Sequence, residues 1–312
     1  MNVEQEQPRR YYAAFFFAVA IVAIILLLFV FIYGKLKLAD SERRARDAND
    51  QTRLAVLVAV DPCAYLVERV GADRVRVDVL TPKGKSPEDF APTPAQLAKL
   101  TAVKLFLAVG LPIEERFIEK ITDLAPEATV VDLMQGLEPL VDECGHDDES
   151  IDPHLWTCPA AARHMVERIA DALVALDPAG ESSYRANAAA LDAELAALQT
   201  AIAERLAPFH GRAFIVFHPA YGYFAREFHL EQRAIEVDGK APRPKELEDL
   251  VQYARASGVR ALIVQPEFNR SSAQTVADKI GAELVVHSPL EKDYFLNLTA
   301  LVDAVEHSLR QE

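Results

Sequence analysis

Short apolar runs alternate with amphipathic helical stretches along most of this chain, and this alternation constrains the fold more than any other feature. The first four runs are residues 54–60, 75–80, 103–109 and 129–133, and each is followed by a turn and a helical pattern. Such short apolar runs are typical of strands buried on both faces of a parallel sheet. Repeated strand–helix units therefore predict an α/β fold.

A long helical stretch separates two such halves. Residues 159–208 are helical in pattern, with a break near 177–180 and many alanines from 184 to 206. A helix of about 25 residues is roughly 37 Å long, longer than the packed face of one small lobe. Strand-like runs resume at 213–217, 234–237, 261–264 and 284–287, and a last helix is predicted over 293–309. We predict two lobes, each a small parallel sheet flanked by helices, over residues 53–178 and 208–312, joined by a linking helix over 179–207.

An apolar segment precedes this body. Residues 11–33 contain no charged side chain, and a helix of that length, about 35 Å, can cross a hydrocarbon core of roughly 30 Å. The segment ends in Tyr33-Gly34-Lys35 rather than in a small-x-small cleavage sequence. We therefore predict a single uncleaved transmembrane anchor between a tail at 1–10 and a linker at 34–52. Basic residues stand on both sides of it, so its orientation must be inferred from the function of the body.

Polar side chains follow four of the predicted strands. Glu88 follows the second strand, His154 the fourth, His218 the fifth and Asp293 the last. In open parallel sheets, ligands bind beyond the carboxyl ends of the strands. We therefore expect these side chains, two from each lobe, to face one cleft.

Two imidazoles and two carboxylates are a complete ligand set for tetrahedral Zn²⁺, and they also suit Mn²⁺ or Fe²⁺. The four residues are too widely spaced to form a local motif, and a single loop histidine can equally serve a surface or capping role. It is the coincidence of four such residues at strand ends that indicates a metal site.

The loops around these residues carry short motifs. They are Pro87-x-x-Phe90-x-Pro92-Thr93-Pro94, Asp152-Pro153-His154-x-Trp156, His218-x-Ala220-Tyr221-Gly222-Tyr223-Phe224, Gln265-Pro266-x-Phe268, Pro289-Leu290 and Asp293-Tyr294. With these motifs the chain resembles the solute-binding proteins of zinc and manganese ABC importers (metal-binding cluster A-I type) over residues 54–309. The resemblance implies a metal held between the lobes by one residue from each of four loops, with His154, His218 and Asp293 at ligand positions.

The sequence departs from this family at several positions. The first ligand is usually a histidine directly after proline, and Glu88 stands there instead. A carboxylate can replace the imidazole as a donor, or Glu88 is merely solvated and the site is degraded. The His-rich loop of zinc-type members is reduced to an acidic segment at 143–149, and the altered triplet Gln265-Pro266-Glu267 leaves Glu267 a candidate to support a ligand. We assign structural or surface roles to the other histidines outside that segment, which are His164, His210, His229, His287 and His307.

Charge and cysteine content exclude other classes of protein. The net charge is −14, and no basic stripe interrupts it, so we expect no nucleic-acid partner. Three cysteines do not make a disulfide-rich scaffold. Cys144 and Cys158 could pair across the acidic segment, or all three cysteines could be buried thiols.

We therefore expect a binding protein rather than an enzyme. It would be a monomeric, membrane-anchored, substrate-binding component of an ABC importer, with its body on the periplasmic or extracytoplasmic side of the inner membrane. Its cargo would be a divalent transition metal, zinc first and manganese or iron next, delivered to the permease. Two alternatives remain, namely a metal chelatase-like enzyme on a bilobal fold and a surface adhesion protein with a degraded metal site.

Overall fold

The computed structural model describes residues 28–29, 31–38, 52–88, 90–141, 151–236, 244–268 and 270–310. The chain divides into two units, residues 1–53 and residues 54–312. In the first unit, residues 31–38 are helical. Most of the predicted anchor at 11–33 lies outside the described residues, and no helix among those that are described combines the length and apolar character needed to cross a membrane.

The second unit begins with a lobe built on one parallel sheet. Its strands are β1 (Leu54–Val58), β2 (Val75–Val79), β3 (Leu105–Ala108) and β4 (Thr129–Asp132), in the spatial order β2-β1-β3-β4. Helices α1 (Asp61–Gly71), α2 (Pro94–Lys99) and α3 (Pro112–Leu124) connect them. A proline in the first turn of each helix fixes a helical φ where the backbone N–H needs no partner. The four predicted strands of this lobe are confirmed, with slightly shorter ends.

Two helices follow this lobe. They are α4 (Pro159–Leu176) and α5 (Glu181–Leu206), separated by a short turn at Pro178–Gly180, as the sequence predicts. The Asn187 side chain of α5 donates to the Val70 carbonyl in α1 at 3.0 Å. Near the other end of α5, Arg205 donates to Asp303, in the last helix of the chain, at 2.6 Å. The long helix α5 is therefore tied to the first lobe at one end and to the second lobe at the other.

The second lobe repeats the design of the first. Its strands are β5 (Ala213–Val216), β6 (Glu231–Ala234), β7 (Ala261–Val264) and β8 (Glu283–Val286), parallel and in the order β6-β5-β7-β8. Its helices are α6 (Gly222–Glu227), α7 (Pro244–Ser257), α8 (Arg270–Ile280) and α9 (Tyr294–Leu309).

One strand of this lobe lies earlier in the chain than predicted. The apolar run at 234–237 indicates a strand there, but β6 is Glu231–Ala234. As an edge strand it is buried less than its neighbour β5 and carries polar side chains, whereas Ile235 is buried just after the strand ends. The apolar run therefore overlaps only the last residue of this strand and continues beyond it.

The loops beyond the strands of the two lobes touch each other. The Trp156 indole N–H donates to the Pro289 carbonyl at 2.8 Å, and Lys292 forms an ion pair with Glu68 at 2.7 Å. In both sheets the strand order reverses between the first and third strands of the lobe, and such switch points place ligand sites at the carboxyl ends of the parallel strands. The contacts close these two edges against each other.

Two of the three cysteines are described. Cys63 is buried and carries a free thiol. Cys158 is also free, and its Sγ donates to Glu227 Oε2 at 2.6 Å. Cys144 lies outside the described residues, so the choice between its pairing with Cys158 and three unpaired thiols stays open.

Candidate metal centre

Three of the four predicted ligands come together between the lobes. Glu88, His154 and His218 each offer a ligand atom within 4.8 Å of the others. His218 Nε2 lies 3.1 Å from Glu88 Oε1, and the centroids of the two imidazole rings are 5.4 Å apart. These separations leave room for one ion among a carboxylate and two ring nitrogens.

Asp152 orients His154. Its Oδ1 accepts hydrogen bonds from His154 Nδ1 and from the His154 backbone N–H, both at 2.8 Å. Because a carboxylate accepts, Nδ1 carries the proton and the Nε2 lone pair is left for a metal. Asp152 is itself confined, since a Cβ on Gly222 would lie 2.7 Å from its Oδ2. The absence of a side chain at Gly222 therefore makes room for the carboxylate that orients His154.

His218 is held by partners on three sides. Its Nδ1 lies 2.7 Å from Glu236 Oε2. The Gln265 amide, just beyond β7, accepts from the His218 backbone N–H at 3.2 Å and donates to its carbonyl at 2.8 Å. The Phe268 ring stacks on the imidazole with centroids 4.8 Å apart. Together these contacts fix the ring so that Nε2 faces Glu88.

The carboxylates around His218 also set its charge. Burial favours the neutral imidazole, but the hydrogen bonds to Glu236 and Glu88 outweigh burial and raise the pKa of His218 to about 9. In the metal-free protein at neutral pH, His218 is therefore an imidazolium between two carboxylates. A metal bound at Nε2 must replace that proton.

Asp293 lies outside this cluster. Its side chain is exposed and caps α9, with Oδ1 accepting from the Leu296 backbone N–H at 3.2 Å. The pocket around the cluster is instead lined by Glu267, whose Oε1 accepts from the Ser288 hydroxyl at 3.0 Å. The role of Asp293 as a metal ligand stays a prediction.

Three supporting residues have no role in the sequence-based interpretation. Asp152 stands two positions before His154 in a motif already noted, and Gln265 follows a buried strand. Glu236 follows β6, and His218 follows β5, the neighbouring strand in the sheet. A search for carboxylates at the ends of adjacent strands would have found Glu236, but only once the strand order was known.

The pocket at the cluster is very small. Its volume is about 20 Å³, and Pro87, Phe268, Pro289 and Leu290 form the apolar part of its lining. A volume of roughly 10 to 15 Å³ is enough for a single water molecule. The pocket thus accommodates an ion or a water molecule but no organic substrate.

A buried imidazole pair, oriented by carboxylates and facing a third carboxylate between two parallel-sheet lobes, defines a two-lobed metal-binding protein. The chain belongs to the family described as zinc-uptake complex component A periplasmic, which it matches over residues 56–308. The resemblance to metal solute-binding proteins is thereby confirmed. Members of this family bind metal for uptake and are not enzymes, which confirms the expectation of a binding protein.

Individual relatives agree with this assignment. The high-affinity zinc uptake system protein ZnuA of Bacillus subtilis is 27% identical over 252 residues, 77% of this chain and 79% of that protein. A crystal structure of ZnuA has a TM-score of 0.78 and 33% identity, covering 83% of this chain and 100% of that one. The Mn-bound periplasmic metal binding protein from Candidatus Liberibacter asiaticus has a TM-score of 0.72 and 20% identity, covering 80% and 99%, and shares the fold.

Proposed function

We propose that the protein binds one divalent transition metal through Glu88, His154 and His218 as the substrate-binding component of an ABC importer. The observation that carries this proposal is that both imidazoles direct Nδ1 at buried carboxylates, which leaves Nε2 for a metal. Carboxylate–histidine–metal triads are the usual support of such ligands. Zinc is the first candidate, because it favours imidazole and carboxylate donors at low coordination number, and because the relatives named above include zinc uptake proteins. Mn²⁺ and Fe²⁺ are the next candidates.

A fourth donor would complete a tetrahedral site. Asp293 lies outside the group of ligand atoms that come within 4.8 Å of one another, and its Oδ1 caps α9, so it would have to approach the cluster when the metal binds. Glu267 already lines the pocket, and the pocket is also large enough for a water molecule that could serve as the fourth donor. We propose Asp293 as the fourth ligand of the loaded form and Glu267 as the competing candidate, which single substitutions distinguish.

The experiment is elemental analysis of the purified full chain, with competitive titration against Zn²⁺, Mn²⁺ and Fe²⁺. We expect one metal per chain, lost in both Glu88→Ala and His154→Ala. Asp293→Ala and Glu267→Ala should each be titrated separately, and the variant with the weaker affinity identifies the fourth donor. His307→Ala is a matched control, because this exposed histidine contacts Glu283 far from the cluster in sequence. The absence of stoichiometric metal in the unmodified protein would contradict the proposal and favour the adhesion protein with a degraded site.

We also propose that residues 11–33 anchor the protein in the inner membrane, with its body on the outer face as a monomer that delivers metal to the permease. The uncharged length of this segment and the periplasmic description of the family support the placement. A reporter fused at Glu312 tests it. A fusion that is active only in the cytoplasm would refute the orientation while leaving metal binding untouched.

A further inference from the structure

A second cavity adjoins the metal pocket and shares Glu267 and Leu290 with its lining. Its volume is about 220 Å³. A single water molecule needs roughly 10 to 15 Å³ of such space, so this cavity has room for several waters or for one small organic molecule. Pockets for drug-sized ligands begin at roughly 300 Å³. A molecule the size of a small amino acid fits this space.

The inner part of this cavity contains a polar group without a partner. Thr81 is only 6% exposed, and its Oγ1 has no hydrogen-bond partner within the described part of the chain. Buried hydroxyls are normally hydrogen-bonded, because leaving one unpaired costs free energy. Asp61 and Glu267 line the same cavity and are partly buried. Burial raises the pKa of the Asp61 carboxyl, although Lys292 and Lys83 oppose the effect. The interior therefore presents oxygen acceptors to an occupant.

The mouth of the cavity carries the opposite charge pattern. Lys83 and Lys85 line it and are exposed, with the Lys83 side chain 80% accessible. Lys83 also forms a loose ion pair with Glu291 at 3.3 Å. The cavity thus has acceptor oxygens at depth and ammonium groups near solvent.

We propose that this cavity binds a small zwitterionic α-amino acid. Its ammonium group donates to Thr81 Oγ1 and the Asp61 carboxylate, and its carboxylate faces Lys83 and Lys85. A simple anion would leave the inner carboxylates without a cationic partner, whereas a zwitterion offers one charged group to the carboxylates and another to the lysines. Among the described residues, the cluster that could hold a metal ion is Glu88, His154 and His218, which line the adjoining pocket and not this cavity. The groups proposed to hold the amino acid, Thr81, Asp61, Lys83 and Lys85, lie outside that cluster, so amino-acid binding and metal binding can be measured separately.

The test is calorimetric titration of the metal-free full chain with each of the twenty protein amino acids. We expect at least one of them to bind with a stoichiometry of one per chain. Its deaminated acid and its decarboxylated amine should each bind at least about tenfold more weakly, since each lacks one charged hydrogen-bonding group. The absence of binding by any amino acid, or equal binding of the deaminated acid, would overturn the proposal.

Thr81→Val supplies the decisive variant. It removes the hydroxyl and keeps the shape, and a buried hydroxyl without a partner contributes nothing to stability that valine would lose. We expect a folded protein with unchanged zinc affinity and about tenfold weaker amino-acid binding. The matched control is Thr122→Val, whose exposed hydroxyl bonds the Ile118 carbonyl on α3. Undiminished amino-acid affinity in Thr81→Val would overturn the proposed orientation of the ligand, and with it the site.

Discussion

At the scale of single residues, the contacts of His218 determine how a metal competes with a proton. Its imidazole lies between Glu236 and Glu88, and these carboxylates raise its pKa to about 9 despite burial. The sequence places a histidine directly after β5, but it does not show which carboxylates surround it. Glu236 lies just after β6 and Glu88 in the loop after β2, and only the folded chain brings these two segments together.

Glu236→Gln should weaken zinc binding by about 10- to 100-fold. The amide keeps the size of the side chain but loses the charge that makes the imidazole a stronger donor. The measurement is competitive zinc titration at neutral pH, with Glu283→Gln as the control, because Glu283 contacts the exposed His307. Equal losses in the two variants would show that Glu236 has no particular influence on His218.

Zinc binding at neutral pH should release about one proton per metal. His218 is protonated in the metal-free protein below about pH 9, and the metal must take the Nε2 position. Calorimetry in two buffers of different ionisation enthalpy measures the released proton. Binding without proton release would mean that His218 is already neutral and that its carboxylate neighbours do not control it.

The same pKa determines how stability depends on pH. The folded-state pKa of His218, about 9, lies above the ordinary value of 6.5. Protonation of His218 therefore stabilises the metal-free fold fully below about pH 6.5, and this contribution is lost as the pH rises to about 9. Over this window zinc binding strengthens, so the zinc-induced increase in Tm should be larger at the upper end. Thermal melts with and without zinc at both ends of the window test the direction.

At the scale of elements, apolar periodicity predicts most strands and the long helices. It does not show whether a polar residue at the end of an element caps a helix or binds a ligand. The interior strands β1, β3, β5 and β7 are apolar runs and were predicted close to their observed positions. The edge strand β6 is polar, so its position was predicted three residues too late. Asp293 illustrates a second difficulty, because an aspartate before a helix is equally typical of an N-cap and of a ligand.

The turn before α3 depends on one buried carboxylate. Glu114 accepts hydrogen bonds from the backbone N–H groups of Val109, Gly110 and Leu111 at 2.7 to 3.1 Å. Glu114→Ala should lower the free energy of unfolding by about 1 to 3 kcal/mol, because these donors lose their acceptor in a buried position. Glu115→Ala, at the exposed neighbouring position, is the matched control and should stay within about 0.5 kcal/mol of the unmodified protein. Chemical denaturation of both variants measures the difference.

At the scale of the whole body, residues 54–312, the two-lobe arrangement followed from the sequence because strand–helix repeats occur on both sides of one long helical stretch. The contacts between the lobes did not. The hydrogen bond from Trp156 to Pro289 and the ion pair of Lys292 with Glu68 in α1 join segments more than one hundred residues apart in sequence, with no periodic signal to reveal them. These contacts, together with α5, hold the lobes against each other without a metal.

Metal binding should therefore move the lobes very little. The helix α5 is hydrogen-bonded to α1 through Asn187 and to α9 through Arg205, so a large closure would break contacts at one end or the other. Spin labels at exposed positions Glu119 on α3 and Asp278 on α8, in a Cys144→Ser background, report the separation of the lobes. We expect the label distance to change by less than about 2 Å on zinc addition, below the range of domain rearrangements.

A matched measurement shows whether α5 is the cause. Ala197→Gly, at an exposed position in the middle of α5, weakens the helix by about 1 kcal/mol without removing a packing contact. If α5 limits closure, the distribution of label distances in the metal-free variant should be broader than in the unmodified protein. Zinc binding should then narrow that distribution. A large zinc-induced shortening in the unmodified protein would instead mean that α5 bends freely and that the closed cleft is a consequence of metal binding.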